Sequence, residues 1–131
     1  MGVITVPTGL ALADLTTRDM TFEQFAAHID PFLVISYFRM TGPVFPPHPH
    51  AGFSVATDIF PESRIGFCNR GSLGTENLIP PGALYRTVTG RGVRHEQTIA
   101  HLGLAAAGFH IWINHAGADR HAAPRQDDAL Q

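Results

Sequence analysis

Along this chain apolar residues cluster in short alternating or continuous runs, and only one stretch follows a helical period. Phe22, Phe25, Ala26 and Ile29 fall at helical spacing behind Thr21-Phe22-Glu23-Gln24, which has the form of a capping box. This predicts a short helix over Thr21–Ile29, ended by Asp30-Pro31, because the residue before proline is driven out of helical geometry. Beyond it the pattern is β. Phe32–Phe38 is a nearly continuous β-branched and apolar run, as expected of a core strand. Phe53–Ile59, Arg64–Cys68, Thr75–Ile79, Ala83–Thr89, Val93–Ile99 and Phe109–Asn114 follow as strands, separated by Gly- and Pro-marked turns. Residues 1–20 read as an extended arm, with Val3, Ile4 and Val6 suited to pairing on a sheet edge. Residues 101–108 read as a loose Gly/Ala segment and 117–131 as a flexible polar tail. Many short strands at close spacing indicate an all-β sandwich or barrel. With neither repeat nor linker, residues 1–131 form a single domain.

Composition narrows the function classes. Hydrophobic residues make up 44% of the chain and charged residues only 15%, so a face covered by a second copy, a homodimer, accounts for the missing charge. A monomer whose loops carry Gly, Thr and Pro in place of charge gives the same composition. The net charge is −2 with no basic block, which points away from nucleic acid. Met1–Ala13 lacks a basic start and contains Pro7 and Gly9, unlike a signal peptide, and no apolar run is long enough to cross a membrane. The expectation is a cytoplasmic protein. A lone Cys68 fits that compartment, and its apolar neighbours in Arg64–Cys68 suggest a buried, inert thiol.

The chemistry concentrates in Pro46-Pro47-His48-Pro49-His50-Ala51-Gly52. Two histidines one residue apart face the same way only on extended backbone, and the prolines keep it extended. Continuing that parity places Gly52, Ser54 and Ala56 beside them, all small enough to leave a cavity. A later strand, entered through Gly90-Arg91-Gly92, puts His95 and Gln97 on one face and Arg94 and Glu96 on the other. The inferred constellation is His48, His50, His95 and Gln97. Three imidazoles suit iron, zinc, nickel or copper, and not calcium or magnesium. Glu96 becomes an alternative ligand if a bulge near Arg94 or His95 rotates it inward.

The remaining candidates carry less weight. His110 shares parity with Trp112 and Asn114 and could serve as a hydrogen-bonding support behind the ligands; a satisfied core histidine is the plainer reading. His28, His101, His115 and His121 read as solvated. Tyr37, Phe38 and Phe45 suit either the mouth of the cavity or the core. Arg91 and Arg94 read as exposed, and Asp58 sits toward the far end of its strand.

These stretches together resemble the pirin family. Asp30-Pro31-Phe32, Pro46–Phe53, Pro81-Gly82, Thr89–His95 and Trp112-Ile113-Asn114 carry the likeness, in order, from about Asp30 to Asn114. The resemblance implies a cupin-type jelly-roll β-barrel, and a chain of this length corresponds to the first, metal-binding one of the family's two cupin domains. It implies iron held by a His-x-His pair and a His-x-Glu pair, which fall on His48, His50, His95 and Gln97. It also implies either quercetinase-type dioxygenase action on a small chelating aromatic or a non-catalytic regulatory role. The chain departs from the family pattern at Gln97, where a glutamate is expected. A neutral amide leaves the full charge on a divalent metal and cannot act as a general base.

Overall fold

The structure, a computed structural model, describes residues 8–43 and 45–130; the anticipated edge pairing of Val3, Ile4 and Val6 lies outside them. Among the described residues eleven strands and one α-helix follow in order: β1 (Thr8–Leu12), β2 (Leu15–Thr21), α1 (Phe22–Ile29), β3 (Phe32–Met40), β4 (Phe45–His50) and β5 (Phe53–Ile59). Then come β6 (Phe67–Gly71), β7 (Glu76–Ile79), β8 (Leu84–Val88), β9 (Val93–Ile99), β10 (Ala106–Asn114) and β11 (Arg125–Leu130). A 3-10 turn spans Asp119–His121.

The strands form a seven-stranded sheet in the order β1-β2-β3-β10-β5-β8-β11 and a four-stranded sheet in the order β4-β9-β6-β7. Neighbours pair antiparallel, and the two sheets are not closed into one ring. This is the all-β sandwich expected from the run of short strands, in the jelly-roll form that the family resemblance implies. Between the sheets lies the core: Leu15, Phe38, Met40, Ile59 and Tyr85 from the larger sheet meet Phe67, Ile79 and Ile99 from the smaller. Phe38 stacks on Phe67 across the gap, with ring centroids 5.1 Å apart.

Several local expectations are corrected. The helix begins at Phe22, with Thr21 at its N-cap making no side-chain cap bond, so the anticipated capping box does not form. The arm is sheet: β2 pairs with both β1 and β3. The loose segment at 101–108 already enters β10 at Ala106, where Gly108 lets two backbones close, since a Cβ there would lie 1.9 Å from the Asp58 carbonyl oxygen. The strand expected over Arg64–Cys68 starts only at Phe67 and runs on to Gly71. The polar tail is also ordered as strand: β11 pairs with β8, and Arg86 binds Asp127 across the pair. Alternation in Arg125-Gln126-Asp127 is too short and too polar to reveal a strand without its partner.

Phe38 ties both sheets together and is fully buried. Replacing it with alanine leaves a cavity at the centre, and the expected loss is about 3–5 kcal/mol in denaturant unfolding.

Candidate metal centre

The site begins with a register. β4 lies against β9 so that His48 sits opposite His95 and His50 opposite Val93. The register shifts between Phe45 and His48, where Pro46 and Pro47 contribute no backbone donors to the ladder. Period-two geometry turns His48 and His50 to the same face, and the cross-strand pairing brings His95 to it. One ligand nitrogen from each of the three lies within 4.8 Å of the others. Ring centroids are 4.7 Å apart for His48 and His50, 4.8 Å for His48 and His95, and 5.0 Å for His50 and His95.

Hydrogen bonds orient two of these rings. His48 Nδ1 donates to the Pro46 carbonyl at 2.8 Å, and His95 Nδ1 donates to Asn69 Oδ1 at 3.1 Å. Each bond commits the Nδ1 proton and leaves Nε2 as the free donor atom, the usual arrangement behind metal-ligating imidazoles. Asn69 is fully buried on β6, and its amide in turn donates to the Tyr85 hydroxyl at 3.4 Å. His50 is wedged edge-on against Trp112 and Phe53. Burial, and then the neighbouring imidazoles, hold His50 and His95 down at about 4, which keeps their rings neutral at physiological pH.

Gln97 lies on the same face of β9 as His95 and is 4% exposed. Its Nε2 donates to Thr57 Oγ1 of the opposite sheet at 3.1 Å. Glu96 points the other way, with a carboxylate oxygen 3.8 Å from Arg70 on the outer surface. The bulge that would have brought Glu96 inward is absent: β9 pairs with β6 in unbroken register from His95 to Ile99, and the irregularity lies in β4. Glu96 is therefore not an alternative ligand in this arrangement.

The histidines open onto a cavity of about 300 Å³ between the sheets. Phe38, Phe45, Val34, Val55 and Trp112 make most of its wall apolar. The expected run of small residues beside the histidines is corrected, because Gly52, at φ +84°, turns the chain out of the four-stranded sheet and into the other one. On β5 it is Val55, Thr57 and Ile59 that face inward, while Ser54 bonds His115 at 2.6 Å on the other face, which Ala56 and Asp58 share.

His110 lines the cavity, stacked on Phe38 at 4.4 Å, and its buried Nε2 has no hydrogen-bond partner. It is therefore not the satisfied core histidine of the plainer reading. Burial, reinforced by the three neighbouring histidines, lowers it to about 3. Phe38 and Phe45 line the cavity, whereas Tyr37 packs with Phe60 and Phe109 elsewhere. His101 and His121 are exposed, as are Arg91 and Arg94, while the His28 side chain lies outside the described residues. Cys68 is half-buried and not buried, since it faces away from the core opposite the exposed Leu78.

One carboxylate in the cavity escaped the sequence reading. Asp19 lines it together with Thr17, Thr21 and Ser36. Once residues 15–21 are seen as a strand, Leu15, Thr17, Asp19 and Thr21 fall on one inward face; reading them as an arm hid that alternation.

A two-sheet jelly roll presenting a His-x-His pair beside a third strand-borne histidine is the architecture of a cupin. The chain belongs to the pirin family, whose model matches residues 14–113. Over 90 residues it is 31% identical to a Pseudomonas aeruginosa protein provisionally named quercetin 2,3-dioxygenase, covering 65% of this chain and 30% of the relative. Over 96 residues it is 30% identical to a pirin-like protein of Caulobacter vibrioides, covering 68% of this chain and 33% of the relative. The chain thus spans about a third of the length of these curated relatives. The solved nickel(II) complex of the bacterial pirin YhhW from Escherichia coli shares the fold at a TM-score of 0.75 and 21% identity, covering 93% of this chain and 53% of that one.

Neutral, buried histidines predict a defined acid response of the metal-free protein. Their folded-state values lie below the ordinary 6.5, so the unfolded chain takes up protons first as pH falls. Stability is therefore full above pH 6.5 and falls progressively toward pH 4. Thermal melts across that window should show the decline, and histidine NMR titration should place the His50 and His95 midpoints well below that of a free imidazole.

Proposed function

We propose that His48, His50 and His95 hold a divalent transition metal, with iron the first candidate, and that the chain carries out quercetinase-type oxygenation of a small chelating aromatic such as a flavonol. One observation carries this reading: three imidazole nitrogens within 4.8 Å of one another on the wall of a largely apolar cavity. The donor set fits a borderline metal, and the bonds from His48 to Pro46 and from His95 to Asn69 prepare their Nε2 atoms to bind it. The nickel in the Escherichia coli pirin keeps nickel among the candidates, and three histidines also suit zinc and copper. When bound, such a metal supplies Lewis acidity toward a chelating hydroxyl and a centre for dioxygen chemistry.

The chain's own residues would do the rest. Phe45, Val55 and Trp112 present apolar surface to a flat ring and displace water from it. Trp112 also packs on His50 and limits the orientations of that ligand. Gln97 would complete the site as a neutral fourth donor through its carbonyl oxygen, since its amide nitrogen already serves Thr57. It cannot accept a substrate proton as a carboxylate would. That neutrality favours a second reading, a non-catalytic metal-binding module with a regulatory role.

Elemental analysis of the purified protein tests for the metal, and oxygen uptake separates the two readings. Near-stoichiometric metal is expected in the natural chain and none in the His48→Ala/His50→Ala double variant. Oxygen uptake with quercetin should then depend on the metal; turnover that survives chelation would remove the oxygenase reading, and stoichiometric metal without uptake favours the regulatory one. Asn69→Ala releases His95 from its orienting bond and should weaken metal affinity by about 10- to 100-fold, read by competition with a chromogenic chelator. Gln97→Glu adds a charged donor and should tighten it.

A further inference from the structure

We propose that Asp19 is a second anchor point in the cavity, selecting flat aromatic ligands that carry a hydrogen-bond donor at the end remote from the histidines. The proposal rests on the reading of this cavity as a substrate site and adds to it a polar recognition group on the opposite wall.

The argument starts from register. Asp19 of β2 pairs with Ser36 of β3, Ser36 with His110 of β10, and His110 with Thr57 of β5. These four residues form one cross-strand row on the inner face of the seven-stranded sheet, and Asp19, Ser36 and His110 line the cavity. Thr57 at one end of the row is tied to Gln97, beside the histidine cluster. Asp19 lies at the other end. With strands about 4.8 Å apart, two strand spacings set Asp19 about 10 Å from the His110 column. Val34, Phe38 and Trp112, in the rows to either side, line the same cavity and make its wall suited to a ring system and not to a charged ligand.

The carboxylate itself is held ready. Ser36 donates its hydroxyl to Asp19 Oδ1, and Thr17 donates to Oδ2 at 3.0 Å. Among the described residues no lysine or arginine lines the cavity, so neutral hydroxyls, and not a salt bridge, fix the carboxylate. Each carboxylate oxygen can accept more than one bond, which leaves capacity on both for a ligand hydroxyl or amine. A donor reaching Asp19 makes a charge-assisted bond inside a mostly apolar enclosure, where such bonds are strongest. A ligand without the donor leaves the carboxylate partly desolvated and unrewarded. Asp19 would thus discriminate between aromatics of equal shape by one polar group.

The test uses flavone and 7-hydroxyflavone, neither of which has the adjacent hydroxyl and carbonyl that would chelate a metal. Binding is measured by calorimetry and tryptophan fluorescence, on the protein as purified and after metal removal. The natural chain should bind 7-hydroxyflavone about tenfold more tightly than flavone, as expected of one hydrogen bond to a charged group. Asp19→Asn, which retains partners for both hydroxyls, should abolish most of that preference, with flavone bound at least as tightly as by the natural chain because no carboxylate is left desolvated. Ser36→Ala should reduce it in part. Equal binding of the two ligands by the natural chain, or a preference undiminished in Asp19→Asn, would overturn the proposal, as would failure of either ligand to bind. A preference that persists in a protein shown to take up no metal upholds Asp19 and removes the metal reading alone.

Discussion

The antiparallel pairing of β4 with β9 is the constraint on which the site depends. A pair of histidines on one strand can supply only two donors in roughly the right place, and the third has to come from a neighbouring strand in matching phase. Here His48 faces His95 directly, so the spacing of the three rings is set by backbone hydrogen bonding and not by flexible loops. A one-residue slip of β9 would turn His95 and Gln97 outward and bring Arg94 and Glu96 in, replacing a buried donor set with groups that now stand on the outer surface. The continuous register of β9 with β6 guards against that slip, and Asn69 of β6 adds a side-chain bond to His95 in the same phase.

Much of this is legible in the sequence. The His-Pro-His spacing forces an extended pair onto one face, and the parity of Val93–Ile99 places His95 and Gln97 together and Glu96 apart. What alternation cannot carry is phase across a turn. The histidines' parity extended into β5 picks out Ser54 and Ala56, but the chain changes sheets at Gly52, so Val55 lines the cavity and Thr57 faces inward to bond Gln97. Polar strands were invisible for a different reason. Residues 15–21 and 125–130 have too few apolar positions to show a period by themselves, and their strand character comes from the partners they pair with. Asp19 was lost with the first of them.

The interior buries polar side chains beside its apolar core. Asn69, Thr57, Gln97 and His95 are all buried, and the bonds from His95 to Asn69 and from Gln97 to Thr57 run between neighbours that no single strand supplies. Such groups are costly to bury unless each finds a partner, so their satisfaction demands one arrangement of the two sheets. The buried Nε2 of His110 is the exception among the described residues. The same network that orients His95 therefore also specifies how the sheets face one another, so the candidate site and the packing share their residues.

The prolines of β4 have a consequence beyond the shape of the site. β4 is the outermost strand of its sheet, and an unpaired strand border is ordinarily a template on which another chain can add. Pro46, Pro47 and Pro49 remove the backbone donor from three of the six positions between Phe45 and His50. A foreign strand approaching this border would find a ladder with missing rungs. The strand that carries two of the histidines is thereby a poor template for intermolecular β-addition.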